Sequence, residues 1–160
     1  MNKTNAMRIL ETAHIDFKFY EYNPGQAIDA CSIAVFLKKE SKEVFKTLVT
    51  FSNTHEHFVF VIPADRELDL KKAAKAAGVK NLEMIAQKTL LPTTGYIHGG
   101  CSPVGMKKQF KTFIDATALN LQTFCISGGK IGLTLELSPL VLSDFLKSPF
   151  AELTATFPNS

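Results

Sequence analysis

Val44-Phe45-Lys46-Thr47-Leu48-Val49-Thr50-Phe51 and Phe58-Val59-Phe60-Val61-Ile62-Pro63 are two runs rich in β-branched and aromatic residues, separated by the polar stretch Ser52-Asn53-Thr54-His55-Glu56-His57. Two such runs with a short polar connection predict a β-hairpin. A hairpin at the centre of the chain argues for a mixed, mainly antiparallel α+β sheet domain and against a doubly wound parallel sheet. No nucleotide-fold signature accompanies it.

Outward from this hairpin, the N-terminal side reads as helix, strand, helix. Met7, Leu10 and Ala13 recur at helical spacing within residues 5–14, with Thr4 as a cap. Residues 17–22 alternate as a half-exposed strand on which Tyr20 shares a face with Lys18 and Tyr22, and Asn23-Pro24-Gly25 ends it as a turn. Residues 32–39 read as a helix. On the C-terminal side, Asp69 is placed to cap a helix over 70–77 that Gly78 ends in a left-handed cap. A further short helix is predicted over 82–88. Beyond Pro92 the glycines at 95, 99, 100 and 105 suggest tight backbone around a pocket. Residues 123–126 and 131–137 then read as strands flanking Ser127-Gly128-Gly129-Lys130, and Ser138-Pro139 as cap and first turn of a last helix reaching Phe145.

The 160 residues, 46% hydrophobic and 21% charged, suffice for one core, so residues 1–160 are expected to be a single domain. A net charge of +3 is compatible with a polyanionic partner but too small to identify one. Cys31, Cys101 and Cys125 are odd in number and contain no C-x-x-C pair, which argues against a disulfide framework or a cysteine-rich zinc site and fits a reducing compartment. The N-terminus lacks the apolar centre of a secretory signal, and no stretch approaches the ~20 apolar residues of a membrane span. The expected location is cytoplasmic, without membrane contact.

Three features could carry chemistry. Lys46 shares its strand face with Val44 and Leu48; it either snorkels to water or presents an ammonium to a pocket, where it would bind a phosphate or a carbonyl oxygen gaining charge. The glycines of Gly95-Tyr96-Ile97-His98-Gly99-Gly100-Cys101-Ser102-Pro103-Val104-Gly105 could bring backbone N–H groups to a ligand or could only form a structural turn. Ser127-Gly128-Gly129-Lys130 is a hairpin turn or a pocket rim. A thiol hydrolase built from Cys101, His98 and Asp115 is a weaker alternative. The His55-Glu56-His57 run lacks a third ligand, so no metal is expected. The lysine runs Lys71, Lys72, Lys75 and Lys107, Lys108, Lys111 are solvated faces or phosphate contacts.

Taken together and in order, Lys46-Thr47-Leu48, Leu70-Lys71-Lys72-Ala73-Ala74-Lys75, Thr94-Gly95-Tyr96, the Gly99-to-Gly105 loop and Ser127-Gly128-Gly129-Lys130 resemble the YbaK/EbsC family of aminoacyl-tRNA editing proteins across nearly the whole chain. The resemblance implies a barrel-like mixed sheet flanked by helices, as in prolyl-tRNA synthetase editing domains. It implies a deacylase that frees cysteine from tRNA(Pro), and from tRNA(Cys), by attack of the substrate's own thiol on its ester, leaving a cyclic thiolactone. It assigns catalysis to Lys46, Gly100 and Ser102, and substrate contact to Tyr20, Thr47, Gly99, Cys101, Ser127, Gly128 and Gly129. Lys71, Lys72, Lys107 and Lys108 are weaker candidates for tRNA contact. The implied partners are the aminoacylated 3′ end of tRNA and prolyl-tRNA synthetase, with no cofactor. Two other functions stay open: deacylation of alanyl or another small aminoacyl-tRNA, and a module that binds aminoacyl-tRNA or a synthetase without turnover. The chain departs from the family pattern at Ala27-Ile28-Asp29-Ala30-Cys31, at Cys101 where an apolar residue is expected, and at Thr134 where some relatives carry an acid.

Overall fold

The computed structural model describes residues 2–23, 25 and 29–155. The central hairpin forms as expected: β2 (Phe45–Ser52) pairs antiparallel with β3 (His57–Pro63), Lys46 opposite Ile62 and Thr47 opposite Val61. β1 (Lys18–Glu21), β6 (Phe124–Ser127) and β7 (Leu133–Leu137) make a separate antiparallel sheet in the order β1-β7-β6. The second sheet runs β4-β2-β3-β5-β8, with β4 (Leu82–Met84), β5 (Lys111–Asp115) and β8 (Phe150–Ala151) added to the hairpin. β3–β5 and β5–β8 are parallel and the other pairings antiparallel, which is the mixed, mainly antiparallel arrangement expected. The two sheets meet at a bridge between Val44 and Cys125.

Apart from α4 (Gln87–Thr94), whose N-cap is Ala86, the α-helices start where short side chains can hold free N–H groups. Thr4 accepts from Met7 N–H to begin α1 (Asn5–Thr12), and Asp29 accepts from Ser32 N–H to begin α2 (Ala30–Leu37). Asp69 accepts from the N–H groups of Lys71 and Lys72 at α3 (Leu70–Ala77), which Gly78 ends at φ +73°. Ser138 caps α5 (Pro139–Leu146) with Pro139 in its first turn. The expected helix over 82–88 is not formed. Leu82, Glu83 and Met84 instead pair with Ser52, Phe51 and Thr50 as β4, and the helix α4 (Gln87–Thr94) begins later and contains Pro92. Only Leu82 of β4 is buried, so the edge of β2 decides the conformation where the local pattern is too short to do so. The turn expected at 23–25 and the departure at Ala27-Ile28 lie partly outside the described residues.

The main core fills the space between the sheets. Phe45 at the start of β2 and Phe124 at the start of β6 meet edge to face at 5.0 Å, joined by Leu133, Leu135 and Leu137 of β7 and by Leu10 of α1. Such an aromatic pair contributes about 0.5–1.5 kcal/mol beyond its buried area. The opposite face of β3 packs Phe58, Phe60 and Ile62 against Ala73 and Ala74 of α3. Among the described residues no helix is long and apolar enough to cross a membrane.

Candidate functional site

Where β2 approaches the β6–β7 hairpin, a cavity of about 190 Å³ opens between several parts of the chain. β2 contributes Lys46, Thr47 and Leu48; the β6–β7 hairpin contributes Ile126, Ser127, Leu133 and Thr134; α2 contributes Ile33; the loop after α4 contributes His98, Gly99 and Cys101.

Lys46 is half-buried and its Nζ donates to the Ala64 carbonyl at 3.2 Å, so the ammonium is anchored at the cavity wall with hydrogen-bonding capacity left over. Thr47 Oγ1 is buried and has no hydrogen-bond partner among the described residues. A buried hydroxyl without a partner costs about 1–3 kcal/mol. Asp29 also lines the space; the Ser32 N–H and hydroxyl hold its carboxyl below the usual range.

The glycine loop shows why its residue types matter. Ile97 to Gly100 close a turn through a Gly100 N–H to Ile97 carbonyl bond of 2.9 Å, with Gly99 at φ +86°. Gly100 lies against the backbone of Lys130 and Ile131, where a Cβ would come within 3.0 Å. Ser102 is fully buried, and its Oγ accepts from Val104 N–H at 3.2 Å; the buried Tyr96 hydroxyl donates to the Val104 carbonyl. Gly100 and Ser102 therefore shape the loop and do not line the cavity. The same holds for the 127–130 turn. Ser127 lines the cavity, whereas the Gly128 carbonyl accepts from Thr4 Oγ1 at 2.6 Å and Gly129 N–H donates to Ser127 Oγ at 3.2 Å.

Tyr20 requires a correction, because it is absent from the cavity wall and Tyr22 stands there, its hydroxyl 3.5 Å from Thr134 Oγ1. Both tyrosines share one face of the sheet, as the alternation required. Tyr20 lies two residues further from the cavity, and its hydroxyl donates to Glu136 at 2.5 Å. Lys39 pairs with the same carboxylate at 3.1 Å and sits 5.7 Å over the Tyr20 ring. Burial alone would raise the Glu136 carboxyl, but hydrogen bonds from Thr123, Tyr20 and Lys39 outweigh it and hold the group at about 2. Tyr22 and Ile33 are site residues that the sequence motifs left out, whereas Thr134, marked in the sequence as a departure from the family pattern, lines the cavity as well.

Cys101 lines the cavity beside His98, yet burial pushes its thiol up to about 12. Asp115, the orienter of a thiol-hydrolase triad, is spent elsewhere, accepting from Thr117 and from Leu153 N–H. The triad is not assembled. His57 packs against Phe51 and Phe110 at 4.9 and 5.1 Å. The candidate lysines lie away from the cavity. Lys71 edges a shallow groove on α3, Lys72 Nζ donates to the Thr154 carbonyl, Lys107 Nζ donates to the Pro92 carbonyl and Lys108 is exposed.

Residues 26–145 match the family model described as the aminoacyl-tRNA editing domain. A protein of Enterococcus faecalis provisionally named Cys-tRNA(Pro)/Cys-tRNA(Cys) deacylase EbsC is 46% identical over 153 residues, covering 95% of this chain and 93% of that one. The proline–tRNA ligase of Brachyspira hyodysenteriae is 26% identical over 95 residues, which is 59% of this chain and 16% of the ligase. A solved structure provisionally titled a trans-editing enzyme for prolyl tRNA synthetase superposes with a TM-score of 0.84 at 23% identity, covering 98% of this chain and all of that one. Another, titled a hypothetical protein, gives 0.88 at 21% identity over 95% of this chain and 100% of its own. At these identities the two superpositions speak to the shared fold.

Proposed function

This chain belongs to the aminoacyl-tRNA editing domain family, and from that premise we propose that it is a free-standing deacylase that releases misattached cysteine from tRNA(Pro), and from tRNA(Cys). The observation that carries the proposal is the Lys46 ammonium, anchored by the Ala64 carbonyl on the wall of a cavity that Thr47, Gly99 and Ser127 also line. The name of the Enterococcus faecalis relative supports the choice of cysteine and of these tRNAs.

In this mechanism the cysteinyl sulfur attacks its own ester carbonyl. A C–S bond forms, the C–O bond to the ribose breaks, the thiol proton ends on the ribose oxygen, and a cyclic thiolactone leaves. An intramolecular attack needs no protein nucleophile; it gains most from being held in one geometry and from donors at the oxygen where charge develops. Lys46 supplies the cation, Thr47 and Ser127 supply hydroxyls, and Gly99 lets the backbone come close. Gly100, Ser102, Gly128 and Gly129 act by holding the two walls together. Tyr22 takes the wall position first assigned to Tyr20. Lys71, Lys72, Lys107 and Lys108 meet tRNA phosphates, prolyl-tRNA synthetase is the candidate protein partner, and residues 1–160 work as one editing domain.

The test compares release of labelled cysteine and labelled alanine from preformed tRNA(Pro) esters, with substrate in large excess over protein. Faster loss of cysteine, with a thiolactone or its hydrolysis product recovered, is the expected result. Equal loss of both amino acids would replace the thiol-assisted route by ester hydrolysis, and binding without loss of either would make the chain a non-catalytic module.

A further inference from the structure

Thiol-assisted release, the reaction this inference rests on, must take a proton from the substrate sulfur and deliver one to the departing ribose oxygen. Five described residues lining the cavity carry titratable side chains: Tyr22, Asp29, Lys46, His98 and Cys101. A lysine ammonium has no lone pair with which to accept a proton. The oxygens of Asp29 are engaged by Ser32, which keeps the carboxylate a weak base. Burial keeps the Tyr22 hydroxyl and the Cys101 thiol protonated.

His98 differs from all four. Its residue is exposed at the cavity mouth, and no hydrogen bond holds its ring among the described residues. It follows Ile97 in the turn closed by the Gly100 N–H, with Gly99 in the left-handed region behind it, so a defined backbone presents the imidazole on the wall that Cys101 shares. An imidazole can take a proton on one nitrogen and return it, which is the chemistry the other wall residues lack. The groups that can bias it are Lys46 from β2, Asp29 before α2, Tyr22 after β1, Cys101 on its own loop, and Lys130 in the turn against which that loop packs.

We propose that His98 is the proton shuttle of the reaction: its imidazole accepts the proton of the substrate thiol as the C–S bond forms and returns it to the ribose oxygen as the C–O bond breaks. The protein ends unchanged and no other reactant is consumed.

The experiment measures single-turnover release of cysteine from tRNA(Pro) between pH 5.5 and 8.5 by wild type, His98→Gln and His98→Ala, with thermal melts to establish that both variants fold. His98→Gln should be slower than wild type by about 10²-fold or more, and its rate should depend more steeply on pH, rising toward the ordinary thiol value of ~8.5. Added imidazole should restore part of the rate of His98→Ala. A His98→Gln rate and profile equal to wild type, with turnover still dependent on Lys46, would overturn the shuttle and leave the deacylase standing. No release by wild type would remove both.

Discussion

Gly100→Ala probes the contact that closes the site. The added Cβ would lie 3.0 Å from Lys130 Cα, from the Lys130 carbonyl carbon and from Ile131 N, all backbone atoms. None can swing aside as a side-chain end would. The turn they belong to is held by Gly128 N–H to the Leu133 carbonyl at 2.9 Å and by Thr4 Oγ1 to the Gly128 carbonyl at 2.6 Å. Relief to an ordinary contact of 3.4 Å therefore moves the loop. Overpacking of this kind costs about 1–3 kcal/mol, which for a chain of this size lowers Tm by roughly 2–12 °C. Gly99 and Cys101 move with the loop, and a wall displaced by a fraction of an ångström lowers turnover by up to about 100-fold. Thermal unfolding followed by circular dichroism reads the first effect and release of cysteine from tRNA(Pro) the second. A Gly100→Ala protein as stable and as active as wild type would refute the packing of loop on turn as the determinant of cavity shape.

The Glu136 carboxyl sits at about 2 against an ordinary 4.5, a difference that corresponds to about 3 kcal/mol. Because the folded value is depressed, this stability is complete above pH ~4.5 and disappears as pH falls toward ~2. Urea midpoints of wild type should fall across that window, and Glu136→Gln should be less stable at neutral pH with a flatter acid limb; parallel curves would contradict the network. Cys31 is exposed, whereas burial pushes the thiols of Cys101 and Cys125 up to about 12. Ellman's reagent at pH 8 should modify one thiol rapidly and the other two only on unfolding, and Cys101→Ala should retain deacylation. Rapid modification of all three, or collapse of activity in Cys101→Ala, would revive a thiol nucleophile.

Sequence was most informative where local chemistry settles local structure. The side chains of Thr4, Asp69 and Ser138 begin their helices, Gly78 ends one, and the β-rich runs around 52–57 pair as a hairpin. It failed where a neighbour decides. β4 is three residues long with one buried side chain and exists because the edge of β2 is open; β5 and β8 join by parallel pairing, which leaves no turn signal between partners. The Tyr20 and Tyr22 positions illustrate the limit for the site. Alternation fixed their common face, but which tyrosine reaches the cavity depends on where α2 and Glu136 lie along the strand, and that is a tertiary fact. Likewise, the residue motifs marked both glycine segments, while only the structure separates Gly99 and Ser127 on the cavity wall from Gly100 and Gly128 behind it.

The most direct test of the central claim is multiple-turnover release of cysteine from cysteinyl-tRNA(Pro) by wild type and by Lys46→Ala at equal protein concentration. With the ammonium placed on the cavity wall by its bond to Ala64, wild type should turn over many substrate molecules. Lys46→Ala should lose about 10²–10³-fold in kcat, the range for removal of one preorganised donor at a developing oxyanion, while keeping its fold. Release by Lys46→Ala at the wild-type rate would contradict the assignment of this cavity as the catalytic site.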